Sequence, residues 1–80
     1  MAEDAVLNVM MLTPDRVIFE GRAASLVLPG ERGVFEILPH HKPLLSRLLE
    51  GRIFIGSKDF PIRRGVMRVS LNKVVIVVEE

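Results

Sequence analysis

The sequence contains no cysteine, no tryptophan and no tyrosine, and its aromatic residues are four phenylalanines. Without cysteine the chain cannot form disulfides, zinc–thiolate centres or a cysteine nucleophile, and nothing indicates an oxidising compartment. The core must therefore consist mainly of valine, leucine and isoleucine. A chain of 80 residues is one domain, and so small a domain buries only about 60–65% of its unfolded surface.

The sequence also has no large excess of positive or negative charge and no long apolar segment. The formal net charge is +1 with both signs interspersed, which provides no basic surface for nucleic acid or an anionic membrane. The acidic start, Met-Ala-Glu-Asp-Ala, has no basic segment, so we predict no signal peptide. The longest uncharged apolar run covers residues 74–78, far below the roughly 20 residues that span a bilayer. We expect a soluble protein that reaches a membrane only through a partner.

Short alternating apolar segments separated by glycine, proline and asparagine predict an all-β sandwich or barrel of about nine strands. The predicted strands cover residues 7–12, 16–20, 23–28, 34–38, 44–49, 51–56, 60–62, 66–70 and 74–78. Residues 1–80 are expected to be a single domain in which residues 1–5 form a flexible tail.

Glycine and proline refine this assignment. Gly21 is expected to end the second strand, and Pro61 places its strand at a sheet edge or beside a bulge because proline cannot donate to the ladder. Residues 44–49 also fit two helical turns, but Pro43 and Gly51 leave too little length for a stable helix. The run at residues 74–78 is typical of a buried strand.

Residues 28–49 concentrate turn chemistry and the possible sites. His40 and His41 invite a metal or acid–base interpretation, but adjacent residues of an extended chain point to opposite faces and no third ligand is suitably spaced. We interpret them as hydrogen-bonded or surface-contact residues. Glu31 and Arg32 lie between two glycines at an exposed tip, which is either a solvated turn or a charged contact point.

Two further groups admit more than one interpretation. Arg63, Arg64 and Arg68 form a basic cluster that is either a solvated face or a site for an anionic ligand, without the aromatic residues or glycine cradle of a phosphate site. The apolar residues near Leu45 and Met10 either fill the core or form an exposed interface. No phosphate-binding loop or nucleophile elbow is present, and nothing assembles an active site.

Several motifs together resemble those of the epsilon subunit of F-type ATP synthases. The central ones are Pro29-Gly30-Glu31-x-Gly33 and Pro39-x-His41-x-Pro43-Leu44-Leu45; the others are Thr13-Pro14, Phe19-Glu20-Gly21, Gly51, Gly65-x-x-x-Val69 and Asn72-Lys73-Val74. The resemblance extends from residue 7 to residue 78. It implies a flattened β-sandwich of two five-stranded sheets.

The resemblance also implies a function. The family member is a non-catalytic part of the central rotor stalk, and it binds the gamma subunit and the polar loops of the membrane c-ring. It couples ion-driven rotation to ATP synthesis, lies peripherally at the cytoplasmic face of an energy-transducing membrane, and needs no cofactor or metal. The alternative is a free-standing sandwich that binds an anionic ligand through its arginine cluster.

Contact residues follow from the matched motifs. The resemblance implies that the c-ring is contacted by Glu31, Arg32, Gly33 and His41, which would share one end of the sandwich. It implies that gamma is contacted by Met10, Met11, Leu45, Leu49, Gly51 and Arg52.

The sequence departs from the family pattern in two respects. The family usually continues into a C-terminal helical hairpin, whereas this sequence ends at Glu80; both a piece of a longer chain and a naturally short form fit, and we predict neither inhibition nor nucleotide binding by these residues. His40 occupies a position that is commonly Gly or Asn, so it is expected to adopt positive φ at a cost of roughly 1 kcal/mol. Arg64 replaces a usual glycine of a Gly-Gly pair.

Overall fold

The computed structural model describes residues 6–80, so the tail predicted for residues 1–5 lies outside the described residues. Nine strands follow one another within residues 6–80. They are β1 (Leu7–Leu12), β2 (Val17–Ala23), β3 (Leu26–Gly30), β4 (Gly33–Ile37), β5 (Leu44–Leu48), β6 (Gly51–Ile55), β7 (Lys58–Ile62), β8 (Arg64–Ser70) and β9 (Lys73–Glu79). The all-β prediction is confirmed. Among residues 6–80 there is no helix long and apolar enough to cross a bilayer.

Alternation along the strands sends every second side chain into the core. In β9 the side chains of Val74, Ile76 and Val78 are buried while the residues between them are exposed, as the period of two in a pleated strand requires. The core is aliphatic apart from methionine, as the composition indicated. Its members are Leu7, Val9, Met11, Ala23, Leu26, Leu28, Ile37, Leu48, Ile53, Ile55, Ile62, Met67, Val69, Val74, Ile76 and Val78.

The strands form one continuous sheet of nine that curls into two layers. One layer has the order β2-β1-β9-β8-β5, and the other places β4, β3, β6 and β7 side by side. A single paired position, Gly30 with Leu48, connects the layers through β3 and β5. The implied two sheets of five are therefore a five-stranded and a four-stranded layer, because β5 ends after Leu48 and the chain continues into the other layer as β6.

Edge strands meet on one side of the sandwich. The rings of Phe19 in β2 and Phe60 in β7 make an edge-on contact with their centroids 6.0 Å apart. The Lys58 ammonium lies 5.9 Å from the Phe19 ring centroid. These contacts cover the side where β2 and β7 would otherwise be open. Pro61 lies in the edge strand β7, which confirms the prediction made from its missing N–H.

Tertiary pairing changes several predicted strand boundaries, most clearly those of the second and third strands. The prediction that Gly21 ends the second strand is wrong, because Gly21 pairs with Val9 and β2 continues to Ala23. The break falls instead at residues 24–25, and β3 starts later than predicted. The strand prediction for residues 44–49 is confirmed by β5, which pairs with β8 along its whole length.

Positive φ angles at non-glycine residues mark two turns at one end of the sandwich. His40 has φ 69°, which confirms the prediction for this position. Its N–H donates to the Asn72 side-chain oxygen at 2.6 Å. Leu71 and Asn72, at φ 51° and 63°, form the two-residue connection of β8 and β9, where a primed turn needs positive φ at both positions. The positive φ of Asn72 was expected; that of Leu71 was not.

Gly65 is required by close packing. A Cβ at this position would lie 2.5 Å from the Val77 carbonyl oxygen and 2.9 Å from Val78 Cγ1. The neighbouring Arg64 has no such constraint, because its side chain is exposed and its guanidinium lies 3.2 Å from the Glu79 carboxylate. Arginine is therefore accommodated where the family commonly has glycine.

The strand directions define two ends of the sandwich. We call one the Glu31 end; it contains residues 13–16, 31–32, 49–50 and 63. The other, the Asn72 end, contains residues 24–25, 38–43, 56–57 and 71–72. Successive connections along the chain alternate between the two groups, and β3 and β5 meet in a local antiparallel pairing at Gly30 and Leu48.

Candidate functional site

The outward side of the five-stranded layer carries an apolar surface. Strand pairing aligns Leu45, Arg68, Val75 and Met10 in one row across β5, β8, β9 and β1. The adjacent row contains Arg47, Val66, Val77, Leu12 and Val17. We name the apolar members of both rows the outer patch: Met10, Leu12, Val17, Leu45, Val66, Val75 and Val77.

The outer patch is unusual for a solvated sheet face. An antiparallel layer with one face on the core normally presents polar side chains on the other face. Here Leu45 is 73% exposed, and Val17, Val66 and Val75 are also exposed. Met10 and Leu12 are half-buried by their neighbours. Arg68 and Arg47 lie in its two rows and Glu20 at its border, so the surface is mainly apolar with few charges, as in a permanent interface.

Only part of the predicted gamma contact lies in the outer patch. Met10 and Leu45 belong to it. Met11 does not, because its side chain is completely buried in the core; the prediction that it is a surface contact is wrong for this structure. The odd positions of β1 face inward and the even positions outward, which separates these adjacent methionines.

The remaining predicted gamma residues lie elsewhere. Leu49 is exposed in the connection at the Glu31 end. Gly51 begins β6 in the other layer, next to Pro29. Arg52 points outward from that layer and pairs with Asp59, with 2.7 Å between guanidinium and carboxylate. Arg52 and Leu45 therefore occupy opposite faces of the sandwich, so one flat partner surface cannot contact both.

The predicted c-ring contact is also divided. Glu31 and Arg32 form the exposed β3–β4 turn, and Gly33 follows with φ 115°. The Glu31 carboxylate lies 3.8 Å from the Arg47 guanidinium, and because both groups are exposed this pair contributes little stability. The turn presents charged groups at the Glu31 end.

His41 lies at the opposite end. Strand β4 carries the chain away from the Glu31 turn, and its four residue steps span about 13 Å at about 3.3 Å each. His41 follows in the segment at the Asn72 end, where its Nδ1 is 2.6 Å from the Lys42 carbonyl oxygen. His41 is thus separated from the Glu31–Gly33 turn by strand β4, and the contact of both segments with the c-ring stays a prediction.

The arginine cluster does not converge on one cavity. Arg63 and Arg64 border a groove of about 800 Å³ at the Glu31 end, together with Glu50 and Glu79. Arg68 instead lies within the outer patch. Arg47 also borders this groove, so the two carboxylates offset two of its three arginine charges. Among residues 6–80, no three histidine or carboxylate side chains come close enough to hold a metal ion.

Sequence reasoning missed five members of the outer patch: Leu12, Val17, Val66, Val75 and Val77. Residues 74–78 were interpreted as buried, yet Val75 and Val77 point outward. In β8, Val66, Arg68 and Ser70 alternate with the apolar residues Met67 and Val69, and this alternation could have shown that Val66 faces outward. In β9 every position from 74 to 78 is apolar, so no alternation was visible.

The fold and its surfaces define an all-β interaction module. A family model described as ATP synthase, Delta/Epsilon chain, beta-sandwich domain, matches residues 6–80. The chain therefore belongs to the ATP synthase delta/epsilon chain family through its β-sandwich domain.

Curated relatives support this assignment. The ATP synthase epsilon chain of Chlorobaculum tepidum is 32% identical over 84 aligned positions, which cover 99% of this chain and 96% of the relative. The ATP synthase epsilon chain of Sulfurimonas denitrificans is 38% identical over 78 positions, which cover 91% of this chain and 60% of the relative.

Solved structures agree on the fold. A chain in the cryo-EM structure of the Euglena gracilis mitochondrial ATP synthase, OSCP/F1/c-ring in rotational state 1, superposes with a TM-score of 0.86 at 19% identity, covering 95% of this chain and 52% of that one. A chain in the Tetrahymena thermophila mitochondrial ATP synthase central stalk/c-ring structure gives a TM-score of 0.80 at 19% identity, covering 92% and 63%.

Proposed function

We propose that this chain is a non-catalytic subunit of the central rotor stalk of an F-type ATP synthase. It binds gamma and the c-ring and helps couple ion-driven rotation to ATP synthesis. Membership of the delta/epsilon chain family supports this proposal. The observation that carries it is the outer patch, because so apolar an exposed face on a small domain requires a protein partner.

Gamma is assigned to the outer patch. A permanent interface tolerates more apolar surface than a transient one, and the patch spans β2, β1, β9, β8 and β5, the full width of its layer. Met10 and Leu45 are the predicted gamma residues that this face retains. Arg68 and Glu20 provide charges that fix the orientation of the partner.

The c-ring is assigned to the Glu31 end. Polar loops suit a charged turn, and Glu31 and Arg32 are exposed there, followed by Gly33. The Glu31–Arg47 ion pair is long at 3.8 Å, so its groups can exchange this contact for intermolecular ones at small cost. The contact of His41, in the connection between β4 and β5, with the c-ring stays a prediction.

The proposed mechanism is mechanical. The nine strands are hydrogen-bonded into one continuous sheet, and the two layers pack around a shared aliphatic core, which resists deformation. Torque that enters at the Glu31 end therefore passes to the outer patch with little loss in bending. The complex places the chain at a membrane surface without inserting it.

Binding to purified gamma tests the proposal. Leu45→Asp should weaken binding roughly 10- to 100-fold, because burial of a leucine contributes about 1.5–3 kcal/mol and each 1.4 kcal/mol is about tenfold in Kd. Phe54→Asp is the matched control, since Phe54 is 44% exposed on the outward side of the other layer. It should change Kd by no more than about twofold.

The exposure of Leu45 makes this test interpretable. Because its side chain is 73% exposed, Leu45→Asp should leave the thermal unfolding of the isolated domain nearly unchanged. Equal weakening by both variants would contradict the assignment of gamma to the outer patch. Failure of the folded wild-type domain to bind gamma would contradict the proposed function itself.

A further inference from the structure

The edge strands of the sandwich differ in how well they are protected against pairing with a further strand. Among the described residues, β2, β7 and β4 each pair on one side only. The β2 and β7 edges face each other through the Phe19–Phe60 contact, and β7 also carries Lys58 and Pro61, which discourage further pairing. Strand β4 contains neither lysine nor proline and has no such cover. Within residues 6–80, β4 is therefore an edge without these protections, and β5 beside it pairs with β3 at a single position.

The direction of the backbone groups on β4 follows from the β3–β4 hairpin. Its two-residue turn makes Gly30 and Gly33 a hydrogen-bonded pair, and such pairs alternate along an antiparallel ladder. Pro29 and Val34 therefore form a non-hydrogen-bonded pair, in which the backbone groups point away from the partner strand. In agreement, the Pro29 carbonyl accepts from the Leu49 N–H at 2.9 Å on the side of β3 that faces away from β4. Val34 and Glu36 on β4 both belong to such non-hydrogen-bonded pairs. Their N–H and C=O groups therefore point away from β3, to the free edge.

A groove lies beside this edge. Its volume is about 410 Å³, and it is lined by residues 30–35 together with Leu44 and Ser46 of β5. Phe35 and Leu44 pack against the core yet are only half-buried, so apolar surface is left partly open between the layers. Hydrogen-bonded and non-hydrogen-bonded pairs also alternate between β5 and β8, and Leu44 and Ser46 are in the hydrogen-bonded ones. The N–H and C=O groups of Leu45 therefore point away from β8, toward this opening.

We propose that an extended segment of the gamma subunit adds to the free edge of β4 as a further strand. An added strand would form hydrogen bonds with the unpaired N–H and C=O groups at alternate residues of β4. One of its apolar side chains would cover Phe35 and Leu44. Gamma is the partner because β5 joins this groove to the outer patch: Leu45 presents its side chain to the patch and its backbone to the groove. This inference rests on the proposed function for the identity of the partner.

Hydrogen exchange of the full chain, free and bound to purified gamma, tests the proposal directly. The amides of Val34 and Glu36 should exchange rapidly in the free protein and at least about tenfold more slowly in the complex, as expected when an exposed N–H gains a strand partner. Phe35 is the internal control, because its N–H already bonds to β3 and should be protected in both states.

A matched pair of variants provides the second readout. Glu36→Pro removes the outward N–H while leaving the β3 ladder intact, and proline is tolerated on an edge strand at such a position. Glu36→Ala removes the carboxylate but keeps the N–H. Glu36→Pro should lower gamma affinity about tenfold or more relative to Glu36→Ala, as the loss of backbone bonds in a strand-addition interface predicts.

The outcomes separate the two proposals. If gamma binds but Val34 and Glu36 gain no protection and the two Glu36 variants bind equally, strand addition is wrong while the proposed function stands. If folded wild-type protein does not bind gamma, both are wrong. Should Glu36→Pro fail to fold, the wild-type exchange pattern decides alone.

Discussion

Leu71 has an unfavourable backbone conformation that substitution should relieve. Its φ is 51°, and left-handed geometry costs an ordinary L residue roughly 1–2 kcal/mol because Cβ approaches the following carbonyl oxygen. Asparagine tolerates this region far better. The Leu71 side chain is 88% exposed, so its removal forfeits almost no burial. Leu71→Asn should therefore raise the free energy of unfolding by about 1 kcal/mol, a gain within the strain released.

Thermal or denaturant unfolding of the isolated domain measures this gain. For a domain of this size, 1 kcal/mol corresponds to a Tm increase of roughly 4–8 °C. Leu71→Val is the matched control, because a β-branched residue at positive φ is still more strained and should lower Tm. An unchanged or lower Tm for Leu71→Asn would refute the reasoning, since it would mean that leucine is not strained at this turn or contributes contacts there.

The remaining predictions concern packing and a buried hydroxyl. Gly65→Ala should lower the free energy of unfolding by about 1–3 kcal/mol through overpacking, because the new Cβ would lie 2.5 Å from the Val77 carbonyl oxygen; denaturant titration measures it, and a loss of less than about 0.5 kcal/mol would show that β8 and β9 separate freely. Thr13→Val should cost about 1–2 kcal/mol, because the Thr13 hydroxyl accepts from the Asp15 and Arg16 N–H groups at 3.1 Å each; an unchanged Tm would mean that water replaces these bonds.

Local signals in the sequence were sufficient for most of the strand pattern. Turns at Thr13, Glu31-Arg32 and Asn72 were predicted because proline, glycine and asparagine have restricted or special φ values. Pro29 and Gly30 were expected to lie outside the third strand, but they continue β3 by pairing with Val34 and Gly33. The edge position of Pro61 followed from its missing N–H. Gly21 failed as a boundary because pairing with Val9 supports a continuous strand there, and long-range pairing of this kind is not visible in a single segment.

The site was predicted less completely, for two physical reasons. Glu31 and His41 are close in sequence but lie in different connections, since the extended β4 runs between them. The exposure of a strand's side chains also depends on whether another layer covers that face of the sheet. The apolar run at residues 74–78 does not show whether both of its faces are covered. In the structure that face is open at Val75 and Val77, and the outer patch appears only once β5, β8, β9 and β1 are paired.

Site-directed crosslinking in the assembled ATP synthase is the most direct test of the central claim. Because the native chain has no cysteine, single cysteines introduced by Leu45→Cys and Glu31→Cys can carry a photoactivatable crosslinker without background labelling of this subunit. The account predicts that position 45 crosslinks to gamma and that position 31, whose turn also borders the β4 groove, crosslinks to the c-ring. Crosslinks from position 45 to the c-ring, or from position 31 to gamma alone, would contradict it.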